Sequence, residues 1–201
     1  MYATFVLAMF FATAEASTFT RKELLHGRNT SIEEFYNTTE PVWIYRSRAH
    51  DSTNLSCLVD VTVNTTLSDL YFERSFYSNQ TRFYRVKMSL TRLLQKGHTH
   101  RSSRTLIYDA MHPIYLQKNP LFDEQLLYQS EDNSCGVFKF FKHPNITRFD
   151  LRVRNCSLAM GPHKNCTQYF SKTGSRYEKL EDRKVYKPEC QAILWKTDGC
   201  Q

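Results

Sequence analysis

Eight of the ten asparagines in this 201-residue chain, Asn29, Asn37, Asn54, Asn64, Asn79, Asn145, Asn155 and Asn165, are followed two residues later by Ser or Thr with no intervening Pro. Ser and Thr together number 35, so random placement would give that triplet to about two of the ten asparagines; the excess reads as a set of N-glycosylation acceptors. A glycan cannot be buried. Each acceptor therefore holds a piece of backbone at the solvent, and together they place the chain in the secretory pathway.

The N-terminus agrees. Residues 4–13 (TFVLAMFFAT) form an apolar run of signal-peptide length, and Ala14, Glu15 and Ala16 supply the small-residue cleavage pattern. A membrane span needs roughly 20 apolar residues, and this run meets Glu15, Arg21, Lys22 and Glu23 first. The expectation is a signal peptide over residues 1–16 and one domain over residues 17–201, with no linker-like stretch or internal repeat. Six cysteines, Cys57, Cys135, Cys156, Cys166, Cys190 and Cys200, lie beyond the cleavage point. An even count in an oxidising compartment implies three disulfides. The spacings from Cys156 to Cys166 and from Cys190 to Cys200 do not reproduce the short knuckles of structural zinc sites, so no metal is expected.

The formal net charge is +7. No Lys/Arg run of nuclear or heparin-binding type is present, and export removes nucleic acid as a partner; the excess reads as solubilising surface charge.

Eight segments rich in β-branched and aromatic residues read as strands: residues 42–48, 57–63, 67–77, 82–94, 104–116, 124–129, 136–141 and 147–154. Short turns such as Asn119-Pro120 and His143-Pro144-Asn145 separate them, which points to antiparallel neighbours in an all-β sandwich or up-and-down barrel. Residues 21–36 and 165–172 read as helices, and residues 185–194 as a final extended segment crossing back over the barrel.

This order of parts resembles the lipocalins of tick saliva, the histamine-binding protein family. The residues that carry the resemblance are an N-terminal helix, Trp43 in PVWIYRSR, Cys57 in CLVDVTV, Cys135 in CGVFKF, FDLRV over residues 149–153, a short helix around Cys166, and the terminal YKPECQAILWKTDGC. Pro41 stands where lipocalins commonly open with Gly before the Trp. The resemblance implies an eight-stranded antiparallel lipocalin barrel with an N-terminal helix and a short C-terminal helix, taking one small ligand at its mouth. It also implies a salivary protein that sequesters a host mediator, either a biogenic amine (histamine or serotonin) or an apolar carboxylate (leukotriene, thromboxane or fatty acid). Its implied pairing is Cys57 with Cys190 and Cys135 with Cys166, leaving Cys156 with Cys200; Cys57 with Cys200 stays open.

Amine-binding members carry an Asp after the Cys of this frame and a Glu, Leu, Trp or Tyr pattern further on. Here Gly136 replaces the Asp, Asp150 shortens the Glu and Arg152 replaces the aromatic residue. A desolvated ammonium needs a paired carboxylate, so the substitutions favour an apolar ligand carrying a carboxylate. The candidate ligand-binding residues are Phe138, Phe140, Asp150 and Arg152. Strand alternation puts Gly136, Phe138 and Phe140 on one face and Asp150, Arg152 and Arg154 on one face of the next strand. Plain hydrophobic patterning instead turns Phe149, Leu151 and Val153 inward, and a one-residue slip exchanges the two. Trp43 is expected as a packing plug at the closed end. Tyr71, Glu73, Tyr108 and Asp109 could supply interior polar contacts.

An enzyme is not expected. His98 and His100 sit in turn composition between Lys96-Gly97 and Arg101, and no nucleophile elbow, zinc-protease helix or phosphate-binding glycine loop occurs. A decoy for a host protein such as a complement component is the remaining class, acting through surface between the sequons. No cofactor is implied, and a monomer is expected.

Overall fold

A computed structural model describes residues 30–49, 55–66, 69–78, 82–93, 110–114, 123–142, 145–174, 180–194 and 200. The expected signal-peptide segment, most of the expected N-terminal helix, His98 and His100 lie outside the described residues, as do Asn29, Asn54, Asn79, Tyr108 and Asp109.

The chain is mostly β. Helix α1 (Ile32–Tyr36) is followed by β1 (Val42–Ala49), β2 (Leu55–Thr65), β3 (Asp69–Ser78), β4 (Arg82–Leu93), β5 (Ala110–Ile114), β6 (Asp123–Gln129), β7 (Cys135–Lys142), β8 (Asn145–Arg154), helix α2 (Lys164–Gly174) and β9 (Glu181–Lys184). Successive strands pair antiparallel from β2 to β8, and β8 pairs back onto β1. Eight strands thus curl into the expected antiparallel lipocalin-type barrel.

The ninth strand departs from the sequence reading. The extended C-terminal residues are Glu181–Lys184, whereas residues 188–193 turn into a 3-10 helix that begins at Pro188. Proline fits there because the first helical position needs no N–H donor. On its free side β1 pairs with β2 over only two rungs, Val42 with Asp60 and Trp43 with Val59. Its outer half pairs with β9, from Arg46 opposite Lys184 to Ala49 opposite Glu181. One backbone bond joins this segment to β2, Cys57 N donating to Val185 O at 3.1 Å. Cys57 has φ +54° beside the bulge between Ser56 and Val59, a left-handed conformation unusual for a non-glycine residue. The disulfide to Cys190 anchors it there.

Strands β7 and β8 are buried on both faces, which is why alternation alone left their orientation open. Val137, Phe149, Leu151 and Val153 pack under Phe170 of α2, with Cys135 bonded to Cys166. Phe138 joins Ile32, Phe35, Tyr36, Val42, Leu70, Phe72, Met111 and Leu126 inside the barrel. Helix α1 forms the plug: Ser31 Oγ caps it by accepting from Glu34 N, Phe35 and Tyr36 are fully buried, and Arg154 Nη2 donates to the carbonyls of Glu34 and Phe35. Trp43 is fully buried but lies on the outer face, against Tyr186, Cys190 and Ile193. Alternation between inward Val42 and Ile44 turns it out of the interior, so the side chains that plug the barrel beside Val42 are Phe35 and Tyr36 instead.

Candidate functional site

Inward-facing positions on β2, β3, β6 and β8 carry charge. Asp60, Glu124 and Arg152 are 0% exposed and Arg74 is 5% exposed. Such groups are tolerated in a core only when paired and hydrogen-bonded. Arg74 donates from Nε to Asp60 Oδ1 at 2.6 Å, from Nη2 to Asp60 Oδ2 at 2.8 Å, and from Nη1 to Glu124 Oε1 at 2.7 Å. Arg152 donates from Nη2 to Glu124 Oε2 at 2.6 Å and from Nη1 to the Tyr36 hydroxyl oxygen, with Asp60 Oδ2 3.5 Å away. Tyr36 donates its own proton to Asp60 Oδ2 at 2.9 Å. Two guanidiniums thus meet two carboxylates, and the charges cancel.

Aromatic rings wall this network. The Arg152 guanidinium carbon stands 4.0 Å from the Phe138 ring centre and 5.3 Å from that of Phe140, and Tyr36 stacks on Phe72 at 5.6 Å. Burial alone would push the Glu124 carboxyl up, but the Arg152 and Arg74 guanidiniums outweigh it and hold the pKa at about 2. Burial opposes charge on Arg152 as well, yet Glu124 and its other anionic neighbours keep its pKa above the ordinary arginine value. The Tyr36 hydroxyl is pushed well up, first by burial.

A second polar group lies further along β8 towards its N-terminal end. Asp150, also 0% exposed, accepts from Ser47 Oγ at 2.8 Å on Oδ1, and Arg148 Nε lies 3.0 Å from the same oxygen. That approach is off line, so the buried Arg148 Nε–H has no hydrogen-bond acceptor; Asp150 Oδ2 has no hydrogen-bond donor but pairs with the Arg152 guanidinium, whose Nη2 stands 3.7 Å away and joins the two levels. Arg148 itself lies flat over Phe140, 3.8 Å from the ring centre.

All four sequence-nominated residues therefore stand inside the barrel: Phe138 and Arg152 around the deeper network, Phe140 between the levels, and Asp150 at the outer one. Arg152 is already bonded to Glu124 and Tyr36. The position of Gly136 is closed: a Cβ there would lie 2.9 Å from Phe35 Cε2 and 3.1 Å from Leu126 Cδ1. Leu70, Phe72 and Arg74 are the inward set of β3, so Tyr71, 37% exposed, and Glu73 belong to the other face. The sequence reading missed Tyr36, Asp60, Arg74 and Glu124. Asp60 did carry a signal, a lone acid inside the apolar run CLVDVTV.

The sulfurs come together as Cys57–Cys190, Cys135–Cys166 and Cys156–Cys200. Glu40 converges with Cys156 and Cys200, but the disulfide occupies both sulfurs and leaves no thiolate for a metal. Of the sequons, Asn37, Asn64 and Asn165 are exposed. Asn155 is engaged: its Oδ1 accepts from Trp43 Nε1 at 2.9 Å and Gln191 Nε2 at 2.8 Å, and its Nδ2 points to Cys200 Sγ at 3.4 Å.

Among the described residues no helix is long and apolar enough to cross a membrane. No family model and no curated protein matches the chain in sequence. Solved structures do match in fold. H1 crustacyanin from the lobster Homarus americanus aligns with 87% of this chain and 89% of its own, at TM-score 0.53 and 12% identity. The siderocalin Ex-FABP, described as functioning through dual ligand specificities, aligns with 75% of this chain and 92% of its own, at TM-score 0.50 and 7% identity. Japanin from Rhipicephalus appendiculatus, bound to cholesterol, aligns with 75% and 95%, at TM-score 0.46 and 10% identity. At these identities the likeness is one of fold: with the crustacyanin and Ex-FABP this chain shares an eight-stranded antiparallel barrel of lipocalin type.

Proposed function

We propose that the chain is an exported, glycosylated salivary lipocalin that sequesters one small host mediator, an apolar molecule carrying a carboxylate rather than a biogenic amine. The observation that carries this reading is the state of the acids. Asp60 and Glu124 are both held by Arg74 and Arg152, and Phe35 fills the space an Asp at position 136 would need. An ammonium reaching Asp60 or Glu124 would have to displace a guanidinium, at the cost of leaving that guanidinium buried and unpaired, and the third buried acid, Asp150, already faces Arg148 at 3.0 Å and Arg152 at 3.7 Å.

Phe138 and Phe140 form the wall that the apolar body meets, while Arg152 and Asp150 set the charge balance beneath it. The reaction is binding alone, and nothing in the barrel is needed as a nucleophile. Native mass spectrometry of protein secreted from insect cells, with calorimetric titration of oleic acid, histamine and serotonin, tests the proposal. Carried-over fatty acid and tighter binding of oleic acid are expected. Submicromolar histamine binding without oleic acid binding would refute it.

A further inference from the structure

We propose that the glycan of Asn64 is a packed part of the fold: its first N-acetylglucosamine lies on the exposed ring of Tyr71 and shields Val63 beside it. The proposal rests on the reading of the chain as an exported glycoprotein and gives one of its glycans a seat on the barrel wall.

The register of β2 supplies the first argument. Thr62 faces inward, opposite buried Phe72, and its Oγ1 donates to the carbonyl of Tyr36 at 3.1 Å. Strict alternation would then send Val63 outward and bring Asn64 back inside. A bulge intervenes. The pairing steps from Thr62 opposite Phe72 to Asn64 opposite Tyr71, and Val63 is the extra residue between them. An extra residue of this kind re-aims the side chain that follows it, so Asn64 is exposed. Leu70 and Phe72 are buried in the interior, which puts Tyr71 on the outer face. Directly opposed residues of an antiparallel pair hold their Cβ atoms about 5 Å apart on one side of the sheet. The sugar is joined to Nδ2 of the asparagine, and that reach carries its first ring towards the neighbouring aromatic ring.

Exposure supplies the second. Val63 is 67% exposed and Tyr71 37%. The other aromatic residues of β3 have ring partners, Phe72 against Tyr36, Phe76 against Tyr84 and Tyr77 against Phe83. Tyr71 has no ring partner among the described residues. A pyranose presents C–H groups on its face, and these meet the electron-rich face of an aromatic ring as the edge of a second ring would. An apolar spot on the wall is thereby covered by a group the chain itself carries, with no partner protein required.

The path of the chain supplies the third. Thr66, the hydroxyl residue of this acceptor triplet, closes the turn between β2 and β3: its N donates to Asp69 O at 2.8 Å and its Oγ1 accepts from Asp69 N at 2.9 Å. Asn64 and Tyr71 face each other just beyond that turn. A contact across so short a loop costs little closure entropy, so the glycan meets its ring as soon as the hairpin closes.

The test is thermal unfolding of the full-length protein secreted from insect cells, with occupancy of Asn64 read by glycopeptide mass spectrometry. Two substitutions that abolish the acceptor triplet, N64Q and T66A, are each made in wild type and in Y71T, with Y71V in its place should Y71T not be secreted. Each is expected to lower the unfolding midpoint by about 2 to 4 °C more in wild type than beside the Tyr71 substitution, the worth of one aromatic contact in a domain of this size. The turn bonds lost in T66A cancel in that comparison. Y71F should keep the full difference, and so should protein whose glycans are trimmed enzymatically to the first sugar. Equal losses with and without Tyr71 would overturn the proposal. A difference seen with N64Q and not with T66A would show a bare contact between the two side chains, which also overturns it. An unoccupied Asn64 beside other occupied sites would overturn it and leave the glycoprotein reading standing, whereas a secreted protein with no glycan at any site would sink both.

Discussion

Replacing Arg152 by Met removes a charge from the centre of the barrel while keeping most of the side-chain volume over Phe138. The two carboxylates Asp60 and Glu124 would then share Arg74 alone, in a site where both are 0% exposed. Glu124 Oε2 loses its 2.6 Å donor and keeps only the 3.3 Å contact to Arg74 Nη2, and the Tyr36 oxygen loses its guanidinium. Breaking a buried ion pair by removing one partner costs about 3 to 5 kcal/mol. In urea, with an m-value of about 2 kcal/mol/M, that moves the unfolding midpoint down by roughly 1.5 to 2.5 M. The measurement is equilibrium unfolding at neutral pH with all disulfides intact, on wild type, Arg152→Met, Glu124→Gln and the double variant. The double variant should recover much of the loss, because no unpaired acid remains, giving a coupling energy of at least about 1 kcal/mol. A midpoint shift below about 0.5 M, or a double variant as unstable as the two single losses added, would refute the idea that Arg152 serves the fold through Glu124.

Three other outcomes are expected. The Glu124 carboxyl is held down to about 2, against an ordinary value of about 4.3. Its contribution is therefore complete above roughly pH 4.5 and is lost as pH falls towards 2, amounting to about 3 kcal/mol; urea titrations across that range should show the loss in wild type and not in Glu124→Gln, and an identical acid profile in both would contradict it. Gly136→Ala places a methyl 2.9 Å from the Phe35 ring and should cost about 1 to 3 kcal/mol. Calorimetry should find this cost relieved by Phe35→Leu, and a neutral Gly136→Ala would show that α1 packs elsewhere. Glycopeptide mass spectrometry should find glycan on exposed Asn37 and Asn64 and an unmodified Asn155, whose carboxamide is committed to Trp43, Gln191 and Cys200; occupancy at Asn155 would argue against that latch.

The strands were legible because their signal is local. Residues 42–48, 124–129 and 136–141 match β1, β6 and β7 to within a residue or two, as alternation and turn residues allow. The even cysteine count likewise pointed to three disulfides. Orientation was not legible in β7 and β8, because α2 covers the outer face as thoroughly as the barrel core covers the inner one, and Leu151 and Arg152 are both 0% exposed. The ion network was hidden for a different reason. Asp60, Arg74, Glu124 and Arg152 come from four strands spread over 92 residues, and charged residues read singly look like surface. Only the three-dimensional meeting makes them interior. The C-terminal strand escaped notice because Glu181–Lys184 is entirely charged, the opposite of a strand signature.

That charged strand has a consequence for how the protein behaves in a crowd. Without it, the outer half of β1 would be a bare edge, a row of unpaired N–H and C=O groups ready to recruit another chain. Glu181, Asp182, Arg183 and Lys184 occupy that edge, and four successive charges make them a poor template in turn. Cys57–Cys190, spanning 133 residues, tethers the cover to the strand it lies beside. The barrel thus carries its own guard against domain swapping and edge-to-edge aggregation, fastened at the opposite end of the chain from the plug that closes its floor.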